Sequence, residues 1–191
     1  MKKVVFDIET SNLFSEVGSN DPADLNLSVV CIYEYDTDTY SSYLQEDLGK
    51  LWPILEKTDL LIGYNSDHFD IPLLNKYYPG DLTKIKSLDI LREIRATYGR
   101  RMKLDQIAEG TLGTHKTSEG LQAVRWWREG EVQKVIEYCI ADVRITKDVY
   151  DYARTNDKLI FKEGGELLTI PLVTANWEDK EESVLTHTLP F

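Results

Sequence analysis

The chain has little of several features that mark particular classes of protein. It has two cysteines, Cys31 and Cys139, far apart in sequence and outside any CxxC pair, so neither a zinc site nor a disulfide framework is indicated. A reducing, cytoplasmic setting is therefore expected. No apolar run reaches the roughly 18 residues of a membrane span. Asp7 and Glu9 interrupt the short apolar start too early for a signal peptide.

Basic residues are also few. The chain has 22 lysines and arginines against 33 aspartates and glutamates, a formal net charge of −11. This balance argues against a protein that coats nucleic acid non-specifically. It is compatible with an enzyme that gathers metal ions with acids and holds a strand locally. Five basic residues and one acid give residues 92–103 a net charge of +4, whereas residues 176–191 have −3, from four acids and one lysine.

The length of 191 residues and the 42% hydrophobic content suit one domain with a substantial core. Alternating and continuous apolar runs predict strands, and helically spaced apolar residues predict helices between and after them. The predicted strands are 4–8, 28–35, 40–44, 59–64 and about 85–88. The predicted helices are about 47–57, one that begins near residue 72, 89–98, 104–112 and 131–154.

The end of this pattern contains a hairpin. Glu163-Gly164-Gly165-Glu166 separates two apolar runs, which predicts two antiparallel strands at about 158–173. Strands followed by alternating helices and strands predict an α/β domain with a mixed sheet flanked by helices and this C-terminal β-hairpin. We predict one domain over residues 1–175 and an acidic tail over residues 176–191.

The first strand carries two acids, Asp7 and Glu9. Alternate residues of a strand share a face, so these carboxylates lie side by side opposite Val4, Phe6 and Ile8. Neighbouring carboxylates repel unless a cation lies between them, and a divalent metal is the obvious candidate. The alternative is a solvated strand end.

Two further places hold acids that could join this pair. Asp70 follows a predicted buried strand, where ligands bind in open α/β sheets; the alternative is that it caps the helix that begins near Pro72. Tyr138 and Asp142 lie four residues apart on the longest helix, at the border of its apolar stripe. The alternative for these two is an ordinary surface position.

Three motifs now appear in order: Asp-x-Glu-Thr at 7–10, Asn-x-x-x-Phe-Asp at 65–70 and Tyr-x-x-x-Asp at 138–142. They resemble the motifs of DnaQ-like 3′–5′ exonucleases with four catalytic acids, the DEDD superfamily, over residues 4–150. Tyr138 is typical of the tyrosine branch (DEDDy), which includes proofreading domains of family B DNA polymerases and stand-alone exonucleases. The other branch has a histidine where this chain has Glu137.

The resemblance implies a ribonuclease H-like fold and a metal-dependent nuclease. It implies that two divalent ions, Mg²⁺ or Mn²⁺, are bound by Asp7, Glu9, Asp70 and Asp142. Tyr138 would orient the attacking water or help deprotonate it; since a tyrosine ordinarily has a pKa near about 10, we expect orientation. The family pattern also implies that Thr10 and Leu13 meet the 3′-terminal nucleotide and that Asn65 supports the site or contacts substrate.

The substrate is expected to be the 3′ end of single-stranded DNA or RNA, with DNA favoured, and the products nucleoside monophosphates. The candidates to hold the strand are the basic run and the arginines beside two tryptophans: Arg92, Arg95, Arg100, Arg101, Lys103, Arg125 and Arg128. Of these we predict Arg100 and Arg101; the alternative for the run is a solvated helix face. Trp126 and Trp127 either stack on bases or pack in the core.

Two questions stay open at this point. The chain acts alone, or depends on a polymerase or another replication or repair partner, or is a catalytically silent nucleic-acid-binding module. A phosphatase of the haloacid dehalogenase type is not supported, because Glu9 and Thr10 break its Asp-x-Asp-x-Thr pattern. The role of Asp67 and His68, inside the second motif, is also open.

Overall fold

A five-stranded sheet runs through the computed structural model, which describes residues 1–114 and 120–179. Together with a separate hairpin, its strands are β1 (Lys3–Thr10), β2 (Leu27–Glu34), β3 (Thr39–Leu44), β4 (Leu60–Gly63), β5 (Ser87–Asp89), β6 (Lys158–Glu163) and β7 (Glu166–Pro171). The order is β3-β2-β1-β4-β5. β1 is central, antiparallel to β2 and parallel to β4. The predicted mixed sheet and C-terminal hairpin are confirmed.

Helices cover both faces of this sheet. Within the described ranges the α-helices are α1 (Phe14–Val17), α2 (Leu48–Leu55), α3 (Asp70–Asn75), α4 (Ile90–Tyr98), α5 (Leu104–Leu112), α6 (Gly120–Arg128) and α7 (Val132–Asn156). Short 3₁₀ turns occupy Pro22–Asp24, Gln45–Asp47 and Leu82–Lys84. The sequence did not predict α6. None of these helices combines the length and apolar character that crossing a membrane would require.

The alternation along β1 divides the core into two layers. Val4, Phe6 and Ile8 pack with residues of α2 and α3 on one face of the sheet. Val5 packs on the other face, against α7. Because successive side chains alternate, Asp7 and Glu9 share the face of Val5 and point toward α7.

The buried face of α7 differs from the predicted one. Tyr138 and Asp142, predicted at its border, are 7% and 5% exposed, whereas Ile136 and Ile140 are only half-buried. Apolar spacing alone misplaced the buried face because it does not count polar side chains. Tyr138 and Asp142 are enclosed where α7 meets the acids of β1. The alternative of an ordinary surface position for this pair is therefore wrong.

The hairpin β6–β7 packs tightly on α5. A Cβ atom on Gly110 would lie 2.5 Å from the carbonyl oxygen of Ile160, so only glycine fits this crossing. The Thr111 hydroxyl donates to the same oxygen at 2.7 Å and accepts from the Ile160 N–H at 2.9 Å. The hairpin is thus attached to the domain through backbone contacts.

The first residues after 175 contact the domain. Trp177 is 3% exposed and stacks on Tyr150 with ring centroids 5.9 Å apart. The Glu178 carboxylate accepts hydrogen bonds from the Tyr150 hydroxyl and from Lys3 Nζ. The rest of the predicted acidic tail, residues 180–191, lies outside the described residues.

Candidate active site

A cleft of about 310 Å³ lies at the carboxyl end of β1. Strand β1 forms its floor, and α1, α3, α6 and α7 surround it. The residues that line it are Asp7, Ile8, Glu9, Thr10, Asn12, Leu13, Phe14, Leu25, Tyr64, Asn65, Phe69, Asp70, Leu121, Val124, Tyr138 and Asp142. The structure therefore brings together the predicted acids Asp7, Glu9, Asp70 and Asp142 with Tyr138.

Three of these acids form a compact group. One carboxylate oxygen each from Asp7, Glu9 and Asp142 lies within 4.8 Å of the others. Glu9 and Asp142 are 8% and 5% exposed. Asp7 and Glu9 lie on the same face of β1 because strand residues alternate. Asp142 comes from α7, which crosses that face of the sheet.

Asp70 joins the group through the backbone of β1. Its Oδ1 accepts a hydrogen bond from the Ile8 N–H at 3.1 Å, between Asp7 and Glu9 in the sequence. Strand β4 pairs with β1 only over Lys3–Val5. The Asp70 carboxylate therefore accepts a backbone N–H of β1 beyond the point where the β4 pairing ends. Because α3 begins at Asp70 itself, with Phe69 as its N-cap, the alternative that Asp70 caps a helix beginning near Pro72 is wrong.

Burial raises the pKa of Asp70 to about 8, and the charges of Asp89 and Asp142 act in the same direction. A carboxyl in this environment binds a proton at neutral pH unless a cation replaces it. The donor set consists of carboxylate oxygens, which are the ligands of hard divalent cations such as Mg²⁺ and Mn²⁺. The side chains present therefore fit a divalent metal ion.

Tyr138 lies one helical turn before Asp142 on α7. Its ring packs edge-to-face against Trp126 of α6, with centroids 6.2 Å apart. Trp126 and Trp127 are both half-buried against the core, as the core-packing alternative expects. Trp126 in this way fixes the position of Tyr138 beside the acids.

Cys139 is a contact of the site that the sequence did not reveal. Its Sγ lies 3.4 Å from the backbone oxygen of Asp7 and 3.6 Å from Asp7 Oδ2. Burial and the neighbouring Cys31 raise the pKa of the Cys139 thiol well above its ordinary value. It is therefore a protonated hydrogen-bond donor to Asp7 and not a thiolate ligand.

Helix α1 and helix α6 face each other across the cleft. Thr10, Leu13 and Phe14 line one side, and Leu121 and Val124 line the other. The Leu13 N–H donates to Glu16 Oε2 at 2.8 Å. Arg128 Nη2 of α6 donates to the same carboxylate at 2.5 and 2.6 Å. This ion pair joins the two sides.

The structure separates the two arginines predicted to hold the strand. Arg101 Nη2 donates to Asn65 Oδ1 at 2.7 Å, which places Arg101 beside a residue that lines the cleft. Arg100 instead donates two hydrogen bonds to Glu163 of the hairpin, at 2.7 and 3.1 Å, and does not line the cleft.

Asp67 and His68 also lie outside the cleft lining. Asp67 forms an ion pair with Arg92 and accepts from the Ser87 hydroxyl at 2.6 Å, whereas His68 is exposed. Asp67 thus has a structural partner on the α4 side of the loop.

A family model described as the RNase_H superfamily matches residues 4–154, which is most of the chain. The chain belongs to the RNase_H superfamily, and the predicted ribonuclease H-like fold is confirmed.

Among solved structures, the chain is similar to the family B DNA polymerase from the hyperthermophilic archaeon Pyrobaculum calidifontis. The TM-score is 0.62 at 17% identity, over 80% of this chain and 24% of that one. The chain thus spans about a quarter of the length of that polymerase, and the likeness is one of fold. No curated protein matches the sequence.

Proposed function

We propose that the chain is a two-metal-dependent 3′–5′ exonuclease of the DnaQ-like tyrosine branch, which hydrolyses single-stranded nucleic acid to nucleoside monophosphates. The observation that carries the proposal is the convergence of Asp7, Glu9, Asp70 and Asp142 with Tyr138 in one cleft. Membership of the RNase_H superfamily supports a nuclease-type function.

Asp7, Glu9 and Asp142 would hold one divalent ion between them, and Asp70 would complete the donor set for a second. When bound, such ions lower the pKa of a bound water and stabilise the charge on the leaving oxygen. The protein's own contribution is to hold four acids at fixed positions on β1, α3 and α7. Four ionised carboxylates would balance the four positive charges of two ions, and a phosphate oxygen would bind at the coordination positions that the protein leaves open.

Tyr138 would orient the attacking water. Its ring is fixed against Trp126, and its position one turn from Asp142 places it beside the acids. Cys139 would assist from behind the site, because its thiol donates to the Asp7 carboxylate.

The cleft favours one unpaired nucleotide. A volume of about 310 Å³ is at the small end of the roughly 300–1,000 Å³ of ordinary ligand sites and leaves no room for a duplex. Leu13 and Phe14 face Leu121 and Val124, so a base would contact apolar surface on two sides. Thr10 and Asn65 line the cleft and would supply polar contacts, with Arg101 beside Asn65. Nothing in these contacts selects the sugar, and DNA remains the favoured substrate by resemblance.

The test is a ladder assay on the purified chain. Single-stranded DNA and RNA oligonucleotides with a 5′ label are incubated with Mg²⁺, Mn²⁺ or EDTA. We expect metal-dependent products that shorten from the 3′ end, lost in Asp7→Asn and retained in Asp24→Asn, an exposed acid outside the cleft. Intact oligonucleotides together with Mn²⁺ binding would overturn an independent nuclease in favour of a binding module or a subunit that requires a polymerase or other replication or repair partner.

A further inference from the structure

Asp89, at the end of β5, holds a carboxylate that is buried more deeply than a helix cap requires. The residue is 3% exposed and lies opposite Gly63, the last residue of β4. Its Oδ1 accepts from the Leu91 N–H at 2.9 Å, which caps α4. Asp21 and Asp81 also cap helical turns, yet neither is buried. The burial of Asp89 therefore reflects contacts beyond its own helix.

Those contacts are with the loop that follows β4. The Asn65 N–H donates to Asp89 Oδ1 at 2.7 Å, and the Asp67 N–H donates to Oδ2 at 3.2 Å. Asn65 has a φ of 65°, a left-handed conformation that asparagine adopts more readily than most residues other than glycine and that contacts with the surrounding chain stabilise. The Asp89 carboxylate supplies that support on both sides of Asn65.

The same loop delivers two residues to the cleft. Asn65 meets Arg101 at the rim, and Asp70 at the far end bonds the Ile8 N–H. Between them the Phe69 N–H donates to the Asn65 carbonyl at 3.0 Å, so a change at Asn65 is transmitted to the start of α3. Residues 64–70 are thus held at two points: the Asp89 carboxylate of β5 accepts from the Asn65 and Asp67 N–H groups, and the loop's own Asp70 accepts from the Ile8 N–H of β1.

We propose that Asp89 is a positioning residue: it sets the 64–70 loop so that Asn65 and Asp70 face the cleft, and thereby sets the affinity of the cleft for a divalent cation. Asp89 does not line the cleft and acts through the loop. The effect on metal affinity rests on the proposed function. Groups that orient metal ligands typically contribute about 10–100-fold in metal affinity or activity.

The test uses Asp89→Ser. Serine is a good N-cap, so α4 keeps its cap, but its shorter side chain cannot also reach the loop. We expect Mn²⁺ affinity and kcat to fall by at least about tenfold. In the metal-free protein, amide hydrogen exchange at Asn65 and Asp67 should accelerate. Asp81→Ser, the same change at a cap remote from the cleft, should leave all three measurements unchanged.

A double-mutant cycle separates positioning from general destabilisation. In an Asp70→Asn background, Asp89→Ser should cost less than about threefold in Mn²⁺ affinity, because the residue through which it acts has already lost its charge. The same tenfold loss in both backgrounds would overturn the proposal. Unchanged exchange at Asn65 and Asp67 would also overturn it.

Two further measurements cover the cases in which Asp89→Ser does not fold or the wild-type protein binds no Mn²⁺. If Asp89→Ser does not fold, Asp89→Asn keeps the size and cap and presents an amide N–H₂ or a single oxygen to the loop, and the same readouts apply. If the wild-type protein binds no Mn²⁺, the proposed function fails, and amide exchange alone then decides whether Asp89 holds the loop.

Discussion

Replacing Asp70 with asparagine should stabilise the metal-free protein more at pH 8 than at pH 6. The pKa of this buried carboxyl is raised from 3.8 to about 8, so the folded state favours its protonated form. A raised carboxyl pKa contributes stability that is complete below about pH 4 and is lost as the pH rises toward 8. Asparagine retains an oxygen for the Ile8 N–H and has no charge to bury.

The magnitude follows from linkage. Each pH unit between the unfolded and folded pKa changes the free energy of unfolding by up to about 1.4 kcal/mol. Because the folded-state pKa is about 8, the free energy of unfolding falls less steeply as the pH approaches 8. The free energy of unfolding of the wild type should therefore decrease by about 2 kcal/mol between pH 6 and pH 8. For a chain of this size that corresponds to a Tm decrease of about 4–8 °C, which the variant should lack.

The assay is thermal unfolding in EDTA at pH 6 and pH 8, with Asp24→Asn as a control for a charge lost at the surface. In saturating Mn²⁺ the wild type should instead have the higher Tm. The ion binds only the folded state, and Asp70→Asn binds it more weakly than the wild type does. An equal Tm difference between wild type and Asp70→Asn at both pH values in EDTA would refute the reasoning, since the carboxyl would then titrate normally.

Three further predictions concern other contacts. Gly110→Ala should lower the free energy of unfolding in urea by about 2–3 kcal/mol, since its Cβ would overlap the backbone of Ile160; a loss of less than about 0.5 kcal/mol would mean that the hairpin shifts freely. Tyr138→Phe should lower kcat at least about tenfold with Mn²⁺ affinity unchanged, and a kcat equal to that of the wild type at every pH would remove its role in orienting water. Arg101→Gln should reduce the slope of log affinity for single strands against log salt by about 0.7, whereas the same change at Arg144, an exposed residue of α7 outside the cleft and the basic run, gives the baseline; equal slopes would place the strand elsewhere.

Local patterns were sufficient to predict most of the fold. Strand alternation in β1 depends on neighbours in sequence, so its two faces could be predicted without the partner elements. Helical spacing predicted α7 itself but misplaced its buried face, because Tyr138 and Asp142 are enclosed where α7 meets the acids of β1. Helix α6 was not predicted, and the sequence left open whether Trp126 and Trp127 stack on bases or pack in the core. Their burial depends on α7, which the sequence does not place beside them.

The candidate site was predictable only in part, for the same reason. Alternation put Asp7 and Glu9 on one face, and an i, i+4 spacing put Tyr138 and Asp142 on another, but neither pattern states that the two faces meet. The bond from Ile8 to Asp70 spans 62 residues and that from Cys139 to Asp7 spans 132. Asp89 did carry a local signal, an aspartate directly before a helix, although that signal indicated a cap and not the loop beside it.

The distribution of charge in the cleft links its function to its stability. Glu9, Asp70, Asp89 and Asp142 are all buried acids close to one end of the sheet, and a divalent ion bound among them offsets their mutual repulsion. A divalent ion would then act on the fold as well as on the reaction, because only the folded chain brings these acids together to bind it. Exposure to a chelator should consequently loosen the 64–70 loop before the sheet, since the β1–β2 ladder and the apolar layers on either face do not depend on the acids. Hydrogen exchange with and without Mn²⁺ would resolve this order, and uniform protection changes across β1, β2 and the loop would contradict it.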